Sequence, residues 1–135
     1  LPVYGDGLNV RDWIHVEDHC RAILLILEKG RPGEVYNIGG DGERTNLEII
    51  EGILRVLKKP KSLMRYVTDR PGHDQRYGID FSKLKGELGW SPSVLLAEGL
   101  ARTVRWYLDH EEWWKGIKSG AYREFYQKHY GDRLT

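Results

Sequence analysis

Residues 17–30 read Glu-Asp-His-Cys-Arg-Ala-Ile-Leu-Leu-Ile-Leu-Glu-Lys-Gly and carry the start and stop signals of a helix. Acidic residues lead this stretch, Lys29 lies in its last turn and Gly30 follows, in agreement with the helix dipole. Apolar residues nearly encircle the helix axis. We therefore expect a well-buried helix, with Cys20 as a buried and unreactive thiol.

Short extended segments surround this helix and predict a helix-rich α/β fold with a small, partly parallel sheet. They span residues 1–4, 10–16, 34–40 and 63–67. A capping box of Thr45 and Glu48 predicts a second helix that runs to about Lys58. The other predicted helices span residues 81–88, which Gly89 ends, then 95–109 and one or two more within 111–129. On the long helix, the residues expected to face inward are Leu96, Leu100, Val104, Tyr107 and Leu108.

Length and charge limit the classes of function. The chain of 135 residues has the size of a single domain, residues 1–135, and a formal net charge of +1. No large uniform field is available for nucleic acid or an anionic membrane, so any anion site must be local. The longest apolar run, residues 22–27, is far shorter than the roughly 20 residues of a membrane span. A single cysteine excludes an internal disulfide and a multi-cysteine zinc site.

Two weak motifs favour structural roles. The turn Gly39-Gly40-Asp41-Gly42 follows an extended segment but lacks the spacing of a phosphate-binding loop, so we expect a tight turn. His15 and His19 are four residues apart, but Val16 stands where a metalloprotease helix needs Glu. We therefore expect no metal site.

The strongest local signal is the loop Asp69-Arg70-Pro71-Gly72-His73, which continues to Tyr77. Proline restricts the backbone beside Arg70, and a guanidinium matches phosphate oxygens through a planar fork of donors. A solvated loop with Asp69–Arg70 and Asp74–Arg76 ion pairs explains the composition equally well. Arg11 could likewise reach an anion or pair with Asp12, and the sequence leaves these alternatives open.

Several motifs together carry a family resemblance. The segments 1–7, 11–18, 36–40 and 89–92 resemble the C-terminal part of extended short-chain dehydrogenase/reductases that act on nucleotide sugars. The segments 69–77 and 119–122 point more narrowly to the dTDP-glucose 4,6-dehydratase family. The resemblance implies a cytoplasmic enzyme of two lobes, with NAD in the N-terminal lobe and the dTDP-sugar substrate gripped by the C-terminal lobe. Such an enzyme converts dTDP-glucose to the 4-keto-6-deoxy sugar and moves a hydride from C4 to C6 through NAD.

The resemblance also implies residue roles. Pro2, Val3 and Tyr4 would line the nucleobase, and Arg11 and Arg70 would neutralise the diphosphate. Asn37 and His73 would hydrogen-bond the nucleotide, and Asn37 would lie on a strand that completes the sheet of the other lobe. Asp69, Pro71 and Gly72 complete the implied binding loop.

Other elements of the family pattern are missing from these residues. No tyrosine is followed four positions later by lysine, and neither Thr-Asp-Glu nor G-x-G-x-x-G occurs. We therefore interpret the chain as the substrate-binding lobe, inactive alone, without catalytic residues or bound NAD of its own. Its expected partner is an N-terminal lobe, and a homodimer is possible through an exposed strand edge or the aromatic residues after residue 100. Three alternatives stay open: a stand-alone nucleotide-binding module, an assembly module, or a lobe of a nucleotide-sugar epimerase or decarboxylase.

Overall fold

The computed structural model describes residues 1–118 and Gly120. Residues 1–101 form one compact unit, and a second unit begins at Arg102. No helix of the described part combines the length and apolar character needed to cross a membrane. In order, the elements are β1 (Pro2–Tyr4), β2 (Val10–Asp12), α1 (Val16–Lys29), β3 (Glu43–Thr45), α2 (Asn46–Val56), a 3-10 turn (Lys61–Leu63), β4 (Arg65–Val67), α3 (Ser82–Leu88), α4 (Leu96–Asp109) and α5 (Glu111–Lys118).

The strands form two small sheets, one parallel and one antiparallel. In the first, β1 lies parallel to β4, with Val3 opposite Tyr66. In the second, β2 runs antiparallel to β3, with Arg11 opposite Arg44. The predicted helix-rich α/β fold with a partly parallel sheet is confirmed. β3 was not predicted, because its sequence Glu-Arg-Thr has no apolar alternation.

The segment 34–40 is not a strand, contrary to the prediction. Val35 is 76% exposed, and Asn37 is exposed beside it. A strand needs a neighbour that supplies backbone donors and acceptors, and none of the described strands pairs with this segment. The alternation of residue types alone therefore does not produce a strand here.

Helix α1 is much less buried than its sequence suggested. His15 caps it, because the ring nitrogen Nδ1 accepts from the Glu17 backbone N–H at 3.4 Å. Asp18 and Ala22 are the buried residues of the helix, and Cys20 is exposed. The predictions of a well-buried helix and a buried thiol were therefore wrong. Within the described residues only one side of α1 has packing partners, and the exposed apolar side chains are Val16, Ile23, Leu24 and Leu27.

The core centres on the buried face of α1. Ala22, Leu84 of α3 and Trp90 are buried together, and Phe81 meets the Trp90 ring edge to face at 5.7 Å. The small Ala22 side chain, 0% exposed, lets α3 approach α1 closely. Partly buried residues complete the cluster, namely Ile14, Leu25, Ile26, Tyr36, Ile38 and Leu88.

Local end signals of the other helices are confirmed. The Thr45 hydroxyl accepts from the Glu48 N–H at 3.2 Å, and the Glu48 carboxylate accepts from the Thr45 N–H at 2.8 Å. Helix α3 ends at Gly89, whose φ of 72° lies in the left-handed region that favours glycine. Both signals depend on neighbouring residues in the sequence, so they predict the ends of a helix without knowledge of the tertiary packing.

A buried carboxylate at the start of α1 holds the segment that leads into α4. Asp18, 1% exposed, accepts from the Ser93 and Val94 backbone N–H groups at 2.9 Å each and from the Ser93 hydroxyl at 2.9 Å. Arg21 adds an ion pair at 2.6 Å. Burial by itself would raise the pKa of this carboxyl, but these hydrogen bonds and the Arg21 charge lower it below its ordinary value.

The second unit carries an aromatic cluster on α4 and α5. The Trp106 ring stacks on His110 at 4.4 Å and meets Trp113 at 5.3 Å. Tyr107 and Leu108 are 48% and 52% exposed, so the prediction that they face inward was wrong. The remaining part of the predicted 111–129 helices and the 119–122 motif, apart from Gly120, lie outside the described residues.

Candidate functional site

The loop of residues 68–74 is anchored at both ends by backbone hydrogen bonds. Before it, the Gly5 N–H donates to Val67 O at 3.0 Å, and after it, the Val10 N–H donates to Gln75 O at 2.8 Å. Gly5 has a φ of +56°, and a Cβ there would lie 3.1 Å from Asp69 Oδ2. Glycine at position 5 therefore lets the turn after β1 pass close to the loop. The loop is thereby held over the ends of β1 and β2.

Asp69 and His73 form the ordered centre of the loop. His73 Nδ1 lies 2.7 Å from Asp69 Oδ1, which also accepts from the Arg70 N–H at 2.8 Å. The hydrogen bond from His73 is the main reason why the pKa of the Asp69 carboxyl lies below its ordinary value. The His73 side chain is 9% exposed, and its ring meets the edge of Tyr4 at 6.4 Å and 84°. The structure thus brings two predicted ligand residues from different elements together.

Arg11 is held by the segment that follows the loop. Its Nη1 donates to Val10 O at 2.6 Å and its Nη2 to Asp74 O at 2.9 Å. The guanidinium carbon lies 4.4 Å from the centre of the Tyr77 ring. These bonds use two of the five N–H groups of a guanidinium, and the other three have no hydrogen-bond partner among the described residues.

Asp12 does not pair with Arg11, which removes one of the alternatives left open by the sequence. Its carboxylate accepts from the Gly40 and Gly42 N–H groups at 2.9 Å each. A Cβ on Gly40 would lie 2.1 Å from Trp13 O, so the close approach requires glycine. Because a carboxylate already occupies these amides, this glycine turn does not fit the pyrophosphate of a dinucleotide.

Arg70 is exposed and makes no side-chain hydrogen bond within residues 1–118. Of the ion pairs that the sequence left open as an alternative, Asp69 pairs with His73 and not with Arg70, and Arg76 pairs with Glu43 and not with Asp74. Arg76 Nε instead donates to Glu43 Oε2 at 3.0 Å. The fully paired, solvated loop is therefore not what the structure contains, and one guanidinium beside the loop is left for solvent or a ligand.

The other predicted site residues are placed unevenly. Pro2 and Tyr4 are exposed on β1, whereas Val3 between them is 2% exposed, so the prediction that Val3 contacts a nucleobase does not agree with its burial. Pro71 and Gly72 form the exposed tip of the loop. Asn37 is exposed in the segment before β3, and none of the described hydrogen bonds joins it to the loop.

Two residues to which the sequence analysis gave no role form hydrogen bonds with Asp74 at the end of the loop. Asn9 is 3% exposed, and its Nδ2 donates to Asp74 O at 3.2 Å. The Tyr77 hydroxyl donates to the Asp74 carboxylate, which is the main reason why the pKa of Tyr77 is raised. Tyr77 stands in the motif of the loop and could have been singled out. Asn9 has no sequence signal beyond its position after a turn.

Comparison with known proteins identifies relatives of the chain. Residues 1–103 match the family model described as GDP-mannose 4,6 dehydratase. The chain is 52% identical over 132 residues to dTDP-glucose 4,6-dehydratase from Xanthomonas campestris pv. campestris, covering 91% of this chain and 38% of that protein. The chain therefore spans little more than a third of the length of such relatives.

Solved structures give the same picture. The dTDP-glucose 4,6-dehydratase of Bacillus anthracis in complex with NAD is 56% identical, with a TM-score of 0.82 over 87% of this chain and 37% of that one. The UDP-glucose 4-epimerase of Thermotoga maritima with UDP-glucose is 36% identical, with a TM-score of 0.75 over 81% of this chain and 35% of that one. Both the dehydratase and the epimerase share the fold of these residues.

Proposed function

The chain belongs to the GDP-mannose 4,6 dehydratase family, and from that premise we propose that it is the nucleotide-sugar-binding portion of a dTDP-glucose 4,6-dehydratase. The parent enzyme would convert dTDP-glucose to dTDP-4-keto-6-deoxyglucose. Identity of 52% to one such dehydratase and 56% to another, against 36% to an epimerase, favours this choice within the family.

One observation carries the proposal: side chains of β1 and β2 meet the loop that carries Arg70. β1 supplies Tyr4, which meets His73, and β2 supplies Arg11, which bonds to Asp74. Arg70 lies on the same loop, is exposed, and makes no side-chain hydrogen bond or ion pair in the described part of the chain. Two guanidinium groups beside an aromatic ring and an imidazole suit a nucleoside diphosphate, because the charges match the phosphates and the ring packs against a base.

The proposed roles follow this geometry. Arg11 and Arg70 bind the diphosphate, and His73 bonds to the nucleotide. Tyr4 and Pro2 line the base, and the buried Val3 between them supports the strand. Asp69 orients His73, and Pro71 and Gly72 shape the tip of the loop. Asn37 would bind the nucleotide from the other side.

The hydride chemistry would belong to the rest of the parent enzyme, which we propose to be NAD-dependent and cytoplasmic. The glycine turn of this chain does not fit a dinucleotide, because Asp12 accepts from its amides. The chain would contribute binding and orientation of the sugar nucleotide. We expect no 4-keto sugar from the pure chain with added NAD and dTDP-glucose, and product above background would contradict this division.

The exposed side of α1 suggests where the rest of the parent enzyme packs. Leu24 and Leu27 are 59% and 77% exposed, and the unpaired segment 34–40 carries Val35, which is 76% exposed. An adjacent strand of an N-terminal lobe would give this segment its backbone partners and cover the apolar residues. A second copy of the chain is the competing occupant, and sedimentation across a range of concentrations would reveal such a homodimer.

The test is an NMR titration of the ¹⁵N-labelled chain with dTDP. We expect saturable shifts at Tyr4, Arg70 and His73, with a dissociation constant at the millimolar level because the rest of the enzyme is absent. Arg70→Ala should weaken binding at least tenfold, since charge-assisted hydrogen bonds contribute about 1.5–3 kcal/mol. Arg55→Ala, at the exposed end of α2, is the matched control and should bind as the parent chain does.

Other outcomes decide between the alternatives. Low-micromolar affinity would favour a stand-alone nucleotide-binding module, and tighter binding of UDP than of dTDP would favour an epimerase lobe. If dTDP shifts no resonance of the loop at saturating concentration, the proposed site is wrong. It is also wrong if Arg70→Ala and its control Arg55→Ala bind dTDP equally well.

A further inference from the structure

We propose that Tyr77 is a positioning residue that holds the Arg11 guanidinium ready for a nucleotide diphosphate. The inference rests on the proposed function, because it assigns a role to a side chain behind a proposed ligand group. Tyr77 itself is not among the predicted ligand residues.

Three contacts connect Tyr77 to Arg11. The guanidinium carbon lies 4.4 Å from the ring centre, within the range of an attractive cation–π contact. The Tyr77 hydroxyl donates to the Asp74 carboxylate, and the backbone carbonyl of Asp74 accepts from Arg11 Nη2 at 2.9 Å. The ring and Asp74 therefore restrain the same guanidinium through two different groups.

Within the described residues, the Tyr77 side chain is not part of the hydrophobic core. It is 48% exposed and lies outside the core cluster of Ala22, Leu84 and Trp90. Its backbone contact, the N–H donation to Val10 O at 3.0 Å, does not need the ring. Truncation of the side chain should therefore leave the pairing with β2 intact while freeing Arg11.

The physical effect is preorganisation. A free arginine side chain loses rotamer freedom when it binds an anion, and a ring that already holds it reduces that loss. An exposed cation–π contact corresponds to a change in affinity of about two- to fivefold. The three N–H groups of Arg11 that no described residue uses would then meet the phosphate oxygens in a fixed orientation.

The experiment is a double-mutant cycle measured by dTDP titration in NMR. Tyr77→Leu should weaken binding about two- to fivefold in the parent chain and should have no effect in an Arg11→Ala background. Tyr77→Phe keeps the ring and should fall between the parent chain and Tyr77→Leu. Tyr66 on β4 is 58% exposed, so Tyr66→Leu is the matched control. This variant should bind dTDP as the parent chain does.

A second readout separates positioning from a structural role. The Arg11 Nε–H resonance should move downfield in Tyr77→Leu, because the ring current of the tyrosine is removed, while resonances of the core stay in place. If Tyr77→Leu weakens binding equally with and without Arg11, or leaves the affinity unchanged, the inference is overturned. If Arg11→Ala has no effect in the first place, the proposed diphosphate role of Arg11 fails instead.

Discussion

The loop of residues 68–74 and helix α1 lie in the same compact unit but depend on their surroundings in opposite ways. In the loop, polar groups find partners within the chain, as Asp69 does with His73 and Asp74 with Arg11. On α1, Leu24 and Leu27 stay more than half exposed within the described part of the chain. The difference shows that the loop is shaped by contacts inside this chain, whereas α1 is only half supported by them.

Hydrogen bonds and burial explain the contrast. A carboxylate needs only two or three nearby donors, which a short loop and a strand edge supply. An apolar helix face needs a whole layer of side chains to remove it from water. The predictions below test how far each region depends on its own part of the chain.

The largest expected effect is on the supported side of α1. Leu84→Ala should lower the free energy of unfolding by about 2–5 kcal/mol, because Leu84 is 0% exposed against Ala22 and its removal leaves a cavity. Urea denaturation followed by circular dichroism measures the change. A loss under 1 kcal/mol would mean that α3 does not pack on α1 as described.

Asp18→Asn should lower the stability by about 1.5–3 kcal/mol at neutral pH, because the amide replaces a charged acceptor of buried bonds from Ser93 and Val94. Since the pKa of Asp18 is lower than its ordinary 3.8, the carboxyl stabilises the fold above that value. This contribution is lost as the pH falls through the folded pKa, and the variant should lack this part of the acid dependence. Asp80→Asn, at an exposed carboxyl that accepts from one backbone N–H of Ser82, should lose less. Equal losses of stability in the two variants would contradict the buried hydrogen bonds of Asp18 with Ser93 and Val94.

Glu43→Gln should cost about 0.2–1 kcal/mol, because its pair with Arg76 is exposed. The loss should shrink in high salt, where exposed charges are screened. Glu28→Gln on the exposed part of α1 is the control. A loss well above 1 kcal/mol would show that the segment after the loop depends on this single pair.

The smallest effect is expected on the open side of α1. Leu27→Ala should change the stability of the isolated chain by no more than about 0.5 kcal/mol, because Leu27 is 77% exposed. Denaturation at two protein concentrations checks the result. A larger, concentration-dependent loss would show that a second copy covers this side in solution.

The sequence predicted the elements whose signals are local. The Thr45–Glu48 capping box and Gly89 lie next to the helices that they delimit, so their positions were correct. Strands depend on partners distant in the sequence, which is why β3 was missed and the segment 34–40 was assigned wrongly. The prediction that α1 is well buried was wrong for the same reason, because an apolar sequence does not reveal whether the residues that cover it belong to the same chain.

The residues of the candidate site were selected from the sequence, and their binding roles stay predictions, whereas their contacts within the chain were not foreseen. The loop around Arg70 and His73, with Arg11, was recognised from its composition and from family resemblance. The Asp69–Arg70 and Asp74–Arg76 ion pairs, which the sequence left open as an alternative, do not form, because charge order along the chain does not determine which carboxylate faces which cation. Asn9 was missed, since a buried amide that supports a loop carbonyl leaves no pattern in the sequence.

The contact between Asp69 and His73 has a consequence for what the loop can select. A carboxylate at 2.7 Å requires a proton on Nδ1, so a neutral His73 ring presents the lone pair of Nε2. That lone pair repels a phosphate oxygen and attracts the hydroxyl of a sugar ring. At the proposed site, the tautomer that Asp69 favours would therefore select a hydrogen-bond donor rather than an acceptor on the ligand.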